Sequence, residues 1–181
     1  MTDILALDVA TSTGFARGKI GEAPVCSSIK FGTDDGDVVF AAAMTWLNEY
    51  LAGCGVPDMM IIEALLPPDA MKNETSRQVR DRLAGLHGVV RAVAHKHGVV
   101  RIAQAAVGDV RAHFISASKL KRKQAKAAVM AQCKALGWAV ADDNAGDAAA
   151  LWSYGCAIVD PANALTVVPL FNPKLRVTVW P

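Results

Sequence analysis

Between Asp58 and Glu63 the chain reads Asp-Met-Met-Ile-Ile-Glu, an unbroken apolar run closed at each end by an acid. The stretch from Gly53 to Pro57 breaks whatever precedes it, and Pro67-Pro68 forbids regular structure soon after. The run is too short for an ordinary helix and has no polar face. It predicts a central strand buried on both sides. Glu63 then stands as a charge at the end of a core element.

The rest of the chain is read around that strand. Residues 3 to 9 form a second short apolar run, ending in Asp8-Val9, followed by turn-rich Ala-Thr-Ser-Thr-Gly and a strand-like stretch over 14–20, together a hairpin. A third strand is expected over 25–31. The residues at 32–37, Gly-Thr-Asp-Asp-Gly-Asp, supply turn and N-cap chemistry for a helix over 38–52, where Phe40, Met44, Leu47 and Leu51 make one apolar face. Downstream come a basic helix over 76–97, a strand over 99–104, helices over 108–115 and 120–136, a turn at 142–146 and an alanine-rich helix over 147–159. The tail offers two β-like pieces, 165–171 and 175–180. A three-strand meander followed by helix, strand, helix, strand predicts an α/β chain whose mixed five-stranded sheet carries helices on both faces. That order resembles an RNase H-like core. Residues 1–160 are expected to form the domain, with 161–181 an extension packed on it.

A length of 181 residues with 52% hydrophobic content suits one compact domain. No stretch approaches the roughly 20 apolar residues of a membrane span, and the first residues lack the basic leader of a signal peptide. Cys26, Cys54, Cys133 and Cys156 are scattered, without zinc-ligand spacing or a disulfide framework, which predicts a reducing, cytoplasmic setting. The net charge of +2 conceals an asymmetry: residues 64–141 hold fourteen Lys or Arg against four Asp or Glu, whereas both flanks are acidic. Such a division suits a chain that grips a polyanion with its middle and gathers carboxylates from its ends. Solvated helix faces are the plainer explanation.

Three acids stand at equivalent places: Asp8 ends the first strand, Glu63 the fourth, and Asp147 opens the last long helix. Neighbouring strands lie about 4.8 Å apart, so acids at the same end of two of them converge. Two such charges about 4 Å apart repel by roughly 4 kcal/mol at an effective dielectric near 20. Divalent magnesium or manganese offsets that repulsion, because hard cations take oxygen ligands and leave positions for water and phosphate. A pair of such ions suits hydrolysis of a phosphodiester. Singly, each acid also fits a turn, a surface or a helix-dipole role.

The segments LALDVATSTGFA, MMIIEALLPP and DDNAGDAAALWSYG, in this order, resemble the three acidic motifs of RuvC-type Holliday junction resolvases, over about residues 3 to 158. The resemblance implies that Asp8, Glu63 and Asp147 are catalytic ligands of two Mg2+ ions, with Mn2+ able to substitute. A fourth ligand, an acid or His three residues before the last Asp, is replaced here by Asn144, with Asp143 one residue earlier. Asp143 is favoured for its charge; Asn144 still offers a carbonyl oxygen. Where the family often has an aromatic after its Glu, this chain has Leu65 and Leu66.

Lys119, Lys121, Arg122, Lys123 and Lys126 crowd the start of one helix, against its macrodipole, at about 0.3–1 kcal/mol each when exposed. The resemblance implies that this helix approaches the scissile phosphate or the DNA backbone, with Lys123 the leading candidate for a catalytic contact. Arg77, Arg80 and Arg82 extend the basic surface. Such contacts position DNA without reading sequence. A solubilising lysine face is the alternative. Trp46, Trp138 and Trp152 are expected in the core, and no His has metal-ligand spacing.

The function implied is an endodeoxyribonuclease that resolves four-way DNA junctions by paired symmetrical nicks as a homodimer, without membrane or nucleotide cofactor. The helix over 76–97, with Leu83, Leu86, Val89, Val90 and Val93, is either its dimer seam or part of the protomer core. LDVATSTG also resembles the first phosphate loop of the sugar kinase, actin and heat-shock ATPase superfamily, but two such domains and a second glycine-rich loop do not fit 181 residues. An RNA-processing or general nuclease of the same fold, and a non-catalytic DNA-binding module, remain as rivals.

Overall fold

The computed structural model describes residues 1–32, 35–65 and 74–165, with the backbone alone at 74–76 and at Thr178 and Val179. In chain order the elements are β1 (Asp3–Asp8), β2 (Ser12–Lys19), β3 (Val25–Lys30), α1 (Gly36–Cys54), β4 (Met59–Glu63), α2 (Glu74–Lys96), β5 (Arg101–Ala105), α3 (Val107–Ile115), α4 (Arg122–Ala135), α5 (Asp143–Val159) and β6 (Thr178–Val179). The sheet runs β3-β2-β1-β4-β5-β6. The first three strands are antiparallel neighbours, β4 and β5 lie parallel to β1, and β6 returns antiparallel on β5. The mixed five-stranded sheet of an RNase H-like core is therefore present, and the tail adds a two-residue sixth strand. Leu66, Pro67, Pro68 and most of the expected piece at 165–171 lie outside the described residues. Among the described residues no helix is long and apolar enough to cross a membrane.

Strand alternation sorts the core into two layers. Ile4 and Ala6 of β1, with Met59 and Ile61 of β4, face α3, α4 and α5. Leu5, Leu7, Met60 and Ile62 face the other way, onto α1 and α2. Both sides of β4 are thus covered, as its unbroken apolar run requires. Trp138 and Trp152 meet edge to face in the first layer, with ring centroids 5.8 Å apart. Trp46 packs beside Phe15, Phe31 and Tyr50 on the second.

The alanine-rich helix α5 is buried at nearly every position from Ala145 to Cys156. Small residues let it lie close to both neighbours: a Cβ on Gly155 would stand 3.2 Å from Ile61 on the sheet, and one on Gly146 2.9 Å from Met130 Sδ on α4.

Three expectations are corrected. The sheet-facing residues of α1 are Val39, Ala43, Leu47 and Leu51, whereas Met44 is exposed. Phe40 instead packs over Gly85 of α2, where a Cβ would collide with its ring, so it joins the two helices rather than helix and sheet. Helix α5 begins at Asp143, not Asp147, because Asp142 is its N-cap and accepts from the Ala145 N–H at 2.8 Å. Helix α4 begins at Arg122, leaving Lys119 and Lys121 in the connector before it. On α2, Leu86, Val90 and Val93 are buried in the protomer, with Leu83 and Val89 packed against the same core. That apolar face is core.

Candidate functional site

Side-chain parity brings the acids together. The parallel pairing of β1 and β4 runs from Ile4 opposite Met59 to Leu7 opposite Ile62. One residue further along each strand come Asp8 and Glu63. By alternation Asp8 shares a face with Ile4 and Ala6, and Glu63 with Met59 and Ile61, which is the face α5 covers. Asp147, in the second turn of α5, comes from that side. All three line one cleft of about 510 Å3.

The electrostatics record their closeness. Burial, then repulsion by Asp147, pushes the Asp8 pKa up to about 6. Burial, then Asp8 and Asp147, pushes Glu63 up to about 8. Asp147 is raised as well, chiefly by burial, while Lys126 and Arg111 pull it back. Burial is the largest cause at all three, and neighbouring carboxylates add to it: Asp147 at Asp8, Asp8 and Asp147 at Glu63.

Helix α5 starts with three consecutive polar side chains turned to different partners. Asp142 accepts from Ser28 Oγ while capping the helix. Asp143 is half-exposed, ion-paired with Lys126, and held below its ordinary pKa mainly by that hydrogen bond. Asn144 lines the cleft and donates from Nδ2 to Ser12 Oγ at 3.1 Å. The structure brings Asn144, not Asp143, into the cleft wall with Asp8, Glu63 and Asp147.

The cations sort similarly. Arg80 of α2 and Arg122 and Lys126 of α4 line the cleft, as does Arg111 of α3, which sequence reasoning missed. Arg122 and Lys126 are one turn apart. Lys119, Lys121 and Lys123 are exposed and stand outside the cleft lining, as does exposed Arg77; Arg82 is half-buried and also outside it. Leu65, Val79, Leu83 and Val107 are among the apolar residues of the wall. His87 also lines it: the residue is buried, its pKa is lowered to about 4 chiefly by burial, and its Nδ1 has no hydrogen-bond partner among the described residues. Arg80 Nε is buried and likewise without a partner among the described residues.

Oxygen donors suit a hard divalent cation. Among the described residues no three His, Cys, Asp or Glu side chains are gathered as a ready three-ligand cage. Magnesium does not need one, since it is commonly held by one or two carboxylates and completed by water and phosphate oxygens. The residues present fit such an ion.

A stability test follows from the raised pKa values. Unfolded, Glu63 releases its proton near the ordinary 4.5; folded, it keeps it up to about 8. The folded state therefore binds the extra proton between those values, and its stability falls as pH rises through that window. Thermal unfolding in chelator should show a midpoint declining from about pH 6 to about pH 8, the upper part of that window. Glu63→Gln should flatten the decline, and added Mg2+ should reverse it. A midpoint rising with pH in chelator would deny the repulsion.

No protein-family model matches the sequence, and no curated protein matches it at a significant level. Solved structures do match. A structure of T. thermophilus RuvC in complex with a Holliday junction substrate superposes with a TM-score of 0.67 at 12% identity, covering 87% of this chain and 95% of that one. Another Thermus thermophilus RuvC structure gives 0.61 at 15% identity, covering 86% and 95%. At these identities the likeness concerns architecture, and it spans nearly the whole of the RuvC chains. This chain has the RNase H-like fold in the form seen in these two RuvC structures.

Proposed function

We propose that this chain is a metal-dependent endonuclease that resolves four-way DNA junctions by paired symmetrical nicks. One observation carries the reading: Asp8, Glu63 and Asp147, from two strands and a helix, repel one another in a cleft that also holds Arg80, Arg111, Arg122 and Lys126. Acids with raised pKa values beside cations in one cleft suit a divalent cation together with a polyanion. The likeness to a RuvC structure bound to a Holliday junction supports the choice of substrate.

Asp8, Glu63, Asp147 and Asn144 would hold Mg2+ or Mn2+, as two ions by resemblance to the family, which would supply an activated water and positive charge against the phosphate. Asp8 and Glu63 hold the donor oxygens on adjacent strands, where the backbone cannot shift without breaking the sheet. Asp147 and Asn144 offer donors from α5. Arg122 and Lys126 present positive charge along one line of α4, suited to successive phosphates of a strand. Arg80 adds its positive charge to the same cleft wall. Cutting two strands symmetrically calls for two copies related by a two-fold axis. Since the apolar face of α2 is spent on the protomer core, the seam of that homodimer uses other surface.

Binding should follow the cleft. Arg122→Ala and Lys126→Ala are each expected to weaken junction binding and to reduce its salt dependence by about one unit of slope. Lys123→Ala should do less. Fluorescence anisotropy across a salt series in EDTA measures this, and equal effects at all three positions would contradict the assigned path.

The activity is tested with an end-labelled synthetic four-way junction in Mg2+, beside linear duplex and an RNA–DNA hybrid. The expected products are paired nicks at symmetrical positions with 5′-phosphate ends, in the junction alone. Cleavage of the hybrid would keep the metal centre and reassign the substrate. Binding without cleavage in either metal would make the chain a non-catalytic module.

A further inference from the structure

Resting on that reading of the cleft, we infer that Ser12 is a positioning residue: it takes the amide nitrogen of Asn144 and so turns the Asn144 oxygen toward the carboxylates, where it serves as a neutral donor to the divalent cation. An amide has one oxygen and one NH2 group. If the oxygen is given to a cation, the NH2 points away, and an acceptor on that side fixes the amide in this orientation. Ser12 Oγ, at 3.1 Å from Asn144 Nδ2, is that acceptor.

The surroundings leave Asn144 little freedom. Its neighbours at the helix start have other partners, Asp142 with Ser28 and Asp143 with Lys126. Its own carbonyl lies against Gly14, where a Cβ would overlap it. Gly14 pairs directly with Asp8 across the hairpin. Ser12, Gly14 and Asn144 thus form one contact between β2 and α5, beside Asp8. A carboxylate at position 144 would present oxygen on both sides and need no such help. The chain therefore has one carboxylate fewer around the cation, which lowers its charge and its affinity, and an orienting hydroxyl that an amide requires.

The test is Mn2+ binding by the full-length protein without DNA, followed by loss of the free-ion paramagnetic resonance signal, in wild type, Ser12→Ala, Ser12→Thr, Asn144→Asp, the Ser12→Ala/Asn144→Asp double variant and Asp8→Asn. Ser12→Ala should weaken Mn2+ binding by about tenfold, the scale at which outer-shell partners act, while Ser12→Thr, which keeps an acceptor, should bind within about twofold of wild type. Asn144→Asp should bind more tightly than wild type, and adding Ser12→Ala to it should change nothing. A merely structural serine would weaken both backgrounds alike, and that result, or wild-type affinity in a folded Ser12→Ala protein, overturns the inference. Wild-type protein whose Mn2+ binding is absent, or survives Asp8→Asn, overturns the metal reading itself along with it.

Discussion

Gly14→Ala should destabilise the protein by about 3 kcal/mol, the upper range of overpacking costs, and should abolish the proposed metal-dependent cleavage as well. A Cβ at this position would overlap the carbonyl of Asn144. The obstacle is backbone, not the end of a flexible side chain, so the first turn of α5 must move off the sheet. Gly14 faces Asp8 across the hairpin, and Asp147 and Asn144 would retreat from Asp8 as the helix moved. At about 2–4 °C per kcal/mol for a domain of this size, the thermal midpoint should fall by roughly 6–12 °C. Gly88 is the control: it lies in α2 with nothing within 4 Å of its Cβ position. Alanine there should be neutral or stabilising by up to about 1 kcal/mol. Denaturant unfolding of both variants measures the difference, and equal stability for Gly14→Ala and wild type would contradict the close contact.

Asp8→Asn should change activity and stability in opposite directions. On the proposed reading, a cation held by Asp8 would stabilise the transition state by several kcal/mol, so Asp8→Asn should reduce cleavage by about a thousandfold or more. In metal-free protein the same change removes a charge that is disfavoured by burial and by Asp147. The thermal midpoint in chelator at neutral pH should therefore rise. Added Mg2+ should stabilise the wild type and leave Asp8→Asn unmoved. An inactive variant of lowered stability would mean that Asp8 holds the fold rather than a cation.

Much of this was legible in the chain. An apolar run of strand length with no polar face, at Met59–Ile62, can only be covered on both sides, and that fixed the layered α/β architecture. The convergence of Asp8 with Glu63 follows from strand parity once the two strands are taken as neighbours. Other features depended on facts that periodicity does not carry. The start of α5 was misplaced because Asp142-Asp143-Asn144 serves equally as turn or as cap and first turn, and the choice is made by Ser28 from a distant strand. Which cations enter the cleft depends on where α4 begins and which face it buries; with Ala125, Val129 and Cys133 inward, the adjoining line is Arg122 and Lys126. Arg111 stands alone on a short helix and left no signal. The apolar stripe on α2 has the same spacing whether it meets its own sheet or a second copy, so its burial needed the three-dimensional arrangement.

The most direct test of the central claim is strand cleavage of a labelled four-way junction in Mg2+ by wild type and by Asp147→Asn, at protein concentrations where both bind the junction equally in EDTA. Paired symmetrical nicks from the wild type, and bound but uncut junction from the variant, are the predicted result. Equal cleavage by both, or cleavage by the wild type that persists in EDTA, would contradict a metal-dependent centre built on these carboxylates.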